Sequence, residues 1–292
     1  MLGKLLKYDF KALARVMLPL QGGVLLAGIL GCFLVNFTYR SISNNLMYSY
    51  SSYRGPAAPI EEVSGAVMGM LAVLFFSLVF ASFFVTLFLV ARHFYKNFLR
   101  DEGYLTFTLP VTTTQNLLSK TIAGFVWLII NATILVIVAV LLSLVGFADY
   151  GLVNAGVVEV YGEMFSELSN GPGLVLLIEL IVIALVGTTY SILQVYVSLI
   201  IGASIAKSYK LLAGIGIYVA ISTVMQGFVS FIVFFFAATF ASGSSSFYSM
   251  SEFSWFYEMQ PFLLPSLIVS CVCSVVFFLV GKHLLNTKLN LE

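Results

Sequence analysis

Six apolar stretches interrupt this chain at regular intervals, 16–37, 63–91, 121–147, 173–206, 211–241 and 261–281, and they limit its fold more than any other feature. A bilayer core about 30 Å thick takes roughly 20 apolar residues per helical crossing. Backbone polar groups in lipid must pair within the segment, so each stretch predicts a helix, and all six are too long for barrel strands. Composition agrees: the 292 residues are 60% hydrophobic and 9% charged, with a mean hydropathy of +1.04, whereas a water-soluble domain carries about 25% charged residues. The expectation is an all-α integral membrane protein whose single transmembrane domain covers 1–292, without a repeat or a separate soluble domain. The first stretch is too long, and starts too late, to be a cleavable signal.

The basic residues set an orientation, because cytoplasmic loops are enriched in Lys and Arg. With the N-terminus inside, twelve of them fall on the inner segments (Lys4, Lys7, Lys11, Arg15, Arg92, Lys96, Arg100, Lys120, Lys207, Lys210, Lys282 and Lys288) and only Arg40 and Arg54 outside. Both termini are therefore expected in the cytoplasm, with the chain crossing the cell membrane six times.

Residues 1–15 read as an amphipathic interfacial helix. Lys4, Lys7, Lys11 and Arg15 recur at helical spacing opposite Leu2, Leu6, Leu13 and Met17, and such a helix lies in the membrane plane with its basic side on anionic headgroups. Asp9 falls on the apolar side and blurs the pattern. The outer connections are expected at 38–62, 148–172 and 242–260, where Tyr248, Trp255, Phe256 and Tyr257 suit an interfacial aromatic belt or, less simply, a substrate-contacting lip. Gly23, Ala27 and Gly31, and Gly65 and Gly69, form small-residue patterns that permit close helix packing.

Several chemistries lack their equipment. Neither Gly-Lys pair, Gly3-Lys4 or Gly281-Lys282, is followed by Ser or Thr, so there is no phosphate loop, and no zinc-protease or serine-hydrolase motif occurs. The chain is not expected to be an enzyme, to hold a metal or cofactor, or to bind nucleic acid. Cys32, Cys271 and Cys273 all lie in apolar stretches and read as small apolar side chains. His93 and His283 stand beside Arg92 and Lys282 at the ends of spans and read as interfacial residues.

One ionisable residue, Glu179, lies within a span, where a charge costs at least ~2.5 kcal/mol and marks a functional candidate. Gly187, Tyr190, Gln194 and Ser198 follow it at helical spacing. A polar stripe in lipid faces protein or a water-filled cavity, so this one reads either as helix packing or as a translocation surface. The second version leads to an ion- or proton-coupled carrier using Glu179; a membrane scaffold or sensor without transport is a further alternative.

The connection 92–120 is the longest on the inner side and the natural docking place for a cytoplasmic partner. It opens with "RHFYKNFLR", which continues the second helix beyond the membrane, and Gly103 offers a stop for that helix. Pro110 extends the residue before it. Thr112 and Gln115 match a capping box, which predicts a short helix with Leu117 and Leu118 on one side, leading into the third span at Lys120.

The stretch "LRDEGYLTFTLPVTTTQNLLSK" resembles the membrane subunits of type-2 ABC transporters of the bacterial exporter kind: an acidic-Gly-Tyr-Leu run, then Thr-Leu-Pro, then a polar cap and Ser-Lys at the next span. The six-span layout and amphipathic start fit in outline. The resemblance implies a permease driven by a separate cytoplasmic ABC ATPase that binds the ATP and Mg, and assembly with a second permease chain, identical or different. It also implies that 112–119 is a coupling helix docking on the ATPase, with Gly103, Pro110, Thr112, Gln115, Leu117 and Leu118 as the coupling residues. Nothing in these residues selects a substrate.

Overall fold

The computed structural model describes residues 2–52, 58–99, 112–148, 162, 165–166, 172–206, 209–244 and 254–287. Among them there are six long helices and no strand: α1 (Leu2–Ser52), α2 (Ala58–Leu99), α3 (Thr113–Ala148), α4 (Pro172–Ile205), α5 (Lys210–Ser244) and α6 (Ser254–Thr287). Each contains a segment long and apolar enough to cross a membrane, and each encloses one of the six apolar stretches, save for Ala206 just past the end of α4.

The helices run further than hydropathy alone implies. Residues 38–52 and 58–62, expected in an outer connection, are helical, as are 254–260 at the start of α6. Hydropathy reports where lipid begins, whereas a helix continues while its backbone bonds propagate. The N-terminal segment differs likewise: residues 2–15 are helical, with Lys4, Lys7, Lys11 and Arg15 exposed, but they form the first turns of α1 and not a helix of their own. No Gly or Pro separates them from the span, since Pro19 lies within the helix.

The chain forms two compact units. One comprises Met1–Leu13, Leu87–Val126 and Ser166–Glu292; the other comprises Ala14–Thr86 and Trp127–Phe165. In the second unit α1 and α3 approach at Gly28, where a Cβ would fall 2.5 Å from Val138 Cγ1. Met17, Gln21, Thr86, Trp127, Asn131 and Val138 make its core, with Gln21 Nε2 donating to the Trp127 carbonyl at 3.3 Å. Within this chain Gly23 has nothing near it and Gly31 only an ordinary contact with Leu142, while Gly28 makes the close approach. The side-chain surroundings of Gly65 and Gly69 lie outside the described residues, as do Tyr248 and the side chains of Trp255, Phe256 and Tyr257.

In the first unit α4 is the central helix. Every residue from 192 to 200 is buried, so this stretch is enclosed on all sides, while most of 174–185 is exposed. At its far end α4 meets α5 almost backbone to backbone: a Cβ on Gly202 would lie 2.4 Å from Gly214 Cα. α5 is otherwise outward-facing, with Phe228, Phe231 and Phe234 more than half exposed. Exposed apolar surface on that scale belongs in lipid.

Candidate functional site

Sequence periodicity brings one polar centre into the core of the first unit. On α1 the buried residues are Asp9, Leu13, Met17, Gln21, Val24 and Gly28, a single stripe at intervals of three and four. Asp9 therefore stands on the packed face, opposite the exposed lysines. On α2 the stripe is Val90, Phe94 and Phe98, and at the start of α3 it is Asn116, Leu117, Ser119 and Lys120.

These stripes converge on the Asp9 carboxylate. Lys120 Nζ donates to Oδ1 at 3.1 Å, and the Ser119 hydroxyl makes a short hydrogen bond to Oδ2. His93 Nε2 lies 3.2 Å from Oδ1 and donates to it when that nitrogen carries the proton. Asn97 Nδ2, one turn further along α2, is 3.1 Å from the same ring nitrogen. Asp9 is 7% exposed and Lys120 3%, so the pair is held out of water, where attraction between charges is stronger but each ion has lost its hydration. Satisfying both carboxylate oxygens compensates that loss.

Aromatic packing encloses the centre. Phe94 stacks on Tyr196 of α4 with ring centroids 3.9 Å apart, and Phe98 packs on Phe94 at 4.8 Å. Lys120 Nζ sits 5.3 Å from the Phe98 centroid, a distance at which a cation is attracted to the ring face. The Tyr196 hydroxyl donates to the Lys120 carbonyl at 3.2 Å. Gly124, on the next turn of α3, admits Val90: a Cβ there would lie 2.7 Å from Val90 Cγ1.

A serine, a histidine and an aspartate meet here, but not as a nucleophile with its base. Catalysis of that type needs the hydroxyl on the imidazole and the carboxylate behind it. Here the carboxylate stands between them, with the hydroxyl and imidazole both directed at it. The arrangement ties helices together. Among the described residues no group of three or more His, Cys, Asp or Glu is placed to hold a metal ion, and Cys32, Cys271 and Cys273 are free thiols.

The start of α3 follows the sequence in one respect and departs from it in two. Thr112 caps the helix: its Oγ1 accepts the Gln115 amide at 3.3 Å and its carbonyl accepts the Asn116 amide at 3.1 Å. However, Thr113–Ser119 is the opening of a continuous helix that runs to Ala148, not a separate short one. Leu117 and Leu118 also do not share a face, since Leu117 is 1% exposed and Leu118 37%. Adjacent helical residues point about 100° apart, so only Leu118 is open to a partner. "RHFYKNFLR" does continue α2, as far as Leu99. Gly103 and Pro110 lie outside the described residues.

The stripe on α4 divides. Glu179 is half-buried and its Oε2 accepts a hydrogen bond from Gln260 Nε2 of α6 at 2.9 Å. The Tyr190 ring packs on Phe277 with centroids 5.7 Å apart. Gln194 and Ser198 are buried, with the Ser198 hydroxyl bonded to the Gln194 carbonyl at 2.7 Å, while Gly187 has open space around its Cα. The structure therefore buries Gln194 and Ser198, the C-terminal half of the stripe, and leaves Glu179 and Tyr190 part-exposed.

Sequence reasoning missed the centre itself. His93 reads as interfacial from its neighbours, yet it contacts Asp9; Lys120 reads as an inner charge and as the Lys of the Ser-Lys at the third span, not as a partner of Asp9. The signal was Asp9, an acid on the apolar side of a basic helix, which required a buried partner. No family model, no curated protein and no solved structure matches this chain.

Proposed function

We propose that this protein is the permease subunit of an ATP-driven exporter, moved by a separate cytoplasmic ABC ATPase that docks on the connection between α2 and α3. The sequence of that connection motivates the reading. The observation that carries it is the anchoring of both ends: α2 through His93, Phe94 and Phe98, and α3 through Leu117, Ser119 and Lys120. A connection whose ends are fixed in the core passes a push on to the helices, whereas loosely held ends would absorb it. Coupling also requires that the ATPase bind two arrangements of the permease unequally.

The carrier alternative has less to draw on, because Gln194 and Ser198 are sealed in packing and Glu179 is engaged by Gln260. Leu118 is the residue to test. It projects from the first turns of α3 while Leu117 holds them down. Leu118→Glu is expected to reach the membrane at normal levels but to lose co-purification with the ATPase and the stimulation of its ATP hydrolysis. Stimulation equal to that of the unaltered protein would remove this surface as the docking site.

A further inference from the structure

One carboxylate on α1 is met by polar groups from both sides of the connection 100–111. His93 approaches it from the last turns of α2, and Ser119 and Lys120 from the first turns of α3. Tyr196 of α4 secures the same turn of α3 through the Lys120 carbonyl. Four helices are thus joined around one buried ion pair. Such a centre is a poor way to gain stability, because replacing a buried ion pair with apolar residues of similar volume is often neutral or stabilising. Its distinctive property is direction. Apolar contacts tolerate a helix that slides or rotates slightly, while bonds to two fixed carboxylate oxygens are satisfied in one register only.

We propose that Asp9 is a positioning residue that sets the register of the end of α2 against the start of α3, and so fixes how the connection between them is presented. What that connection is presented to rests on the transporter reading; the register itself does not. The N-terminal turns of α1 then act as a brace on the α2–α3 hairpin in addition to leading into the first span.

The test uses the full chain in lipid nanodiscs, with Cys32, Cys271 and Cys273 replaced by Ala and spin labels at Arg92→Cys and Gln115→Cys, two exposed positions flanking the centre. A single narrow distance is expected with Asp9 intact, and its loss in Asp9→Leu/Lys120→Met, an apolar pair that leaves no buried charge. If that variant keeps the narrow distance, whether or not its thermal stability changes, the centre does not set the register and the proposal is overturned. Should the apolar pair fail to insert, Asp9→Asn, which keeps the side-chain shape, carries the same comparison with the same two outcomes. ATP hydrolysis by the co-purifying ATPase, measured on the Asp9 variants without the two label cysteines, separates the two readings. Loss of the narrow distance with no stimulation even by the unaltered chain supports the brace and removes the transporter reading; full stimulation by Asp9→Asn despite a broadened distance overturns the role of the register in coupling.

Discussion

Leu117 and Leu118 are chemically identical neighbours with opposite surroundings: one touches the core near Gly281, the other projects outward. Truncating the first leaves a cavity, and core Leu→Ala changes cost roughly 2–5 kcal/mol. Leu117→Ala is therefore expected to lower the unfolding temperature in detergent clearly, while Leu118→Ala leaves it nearly unchanged. Equal effects would mean that the two share a face after all. Asp9 shows how much of the site was legible at this scale. Its position on the apolar side of a basic helix marked it as anomalous, but His93, Ser119, Lys120 and Tyr196 lie 76 to 111 residues from the groups they bond. Nothing local in the sequence pairs them.

Between elements, close approach is governed by glycine, and two of the tight crossings differ in what opposes them. At Gly28 the obstacle is the Val138 side chain, and at Gly202 it is the Gly214 backbone. A side chain can be trimmed; a backbone cannot. Overpacking of this kind costs typically 1–3 kcal/mol, so Gly28→Ala is expected to destabilise and Val138→Ala to relieve it. A double-mutant cycle on thermal unfolding checks this, and additive effects would place the two residues apart. The Thr112 cap was readable from sequence because it depends on neighbours three residues away, whereas the choice between Gly23 and Gly28 depends on where α3 lies.

At the level of the whole molecule, six long apolar helices fit a multi-pass membrane protein, and the distribution of Lys and Arg gives the orientation to be tested. A reporter enzyme that folds only outside the cytoplasm should be silent when fused after Glu292 and active when inserted at Gly151; activity at the C-terminal fusion would reverse the expected topology. Local patterns in the chain define the class, the six apolar spans and the cap of α3, because bilayer thickness, helical period and capping chemistry all act over short stretches. They could not decide where the helices end, since hydropathy stops at the lipid boundary while backbone bonding continues. Only the tertiary structure brought Asp9, His93, Ser119, Lys120 and Tyr196 together and put Leu117 inside and Leu118 outside. A buried ion is stable only where partners from distant parts of the chain meet it, and that meeting is a property of the packed helices.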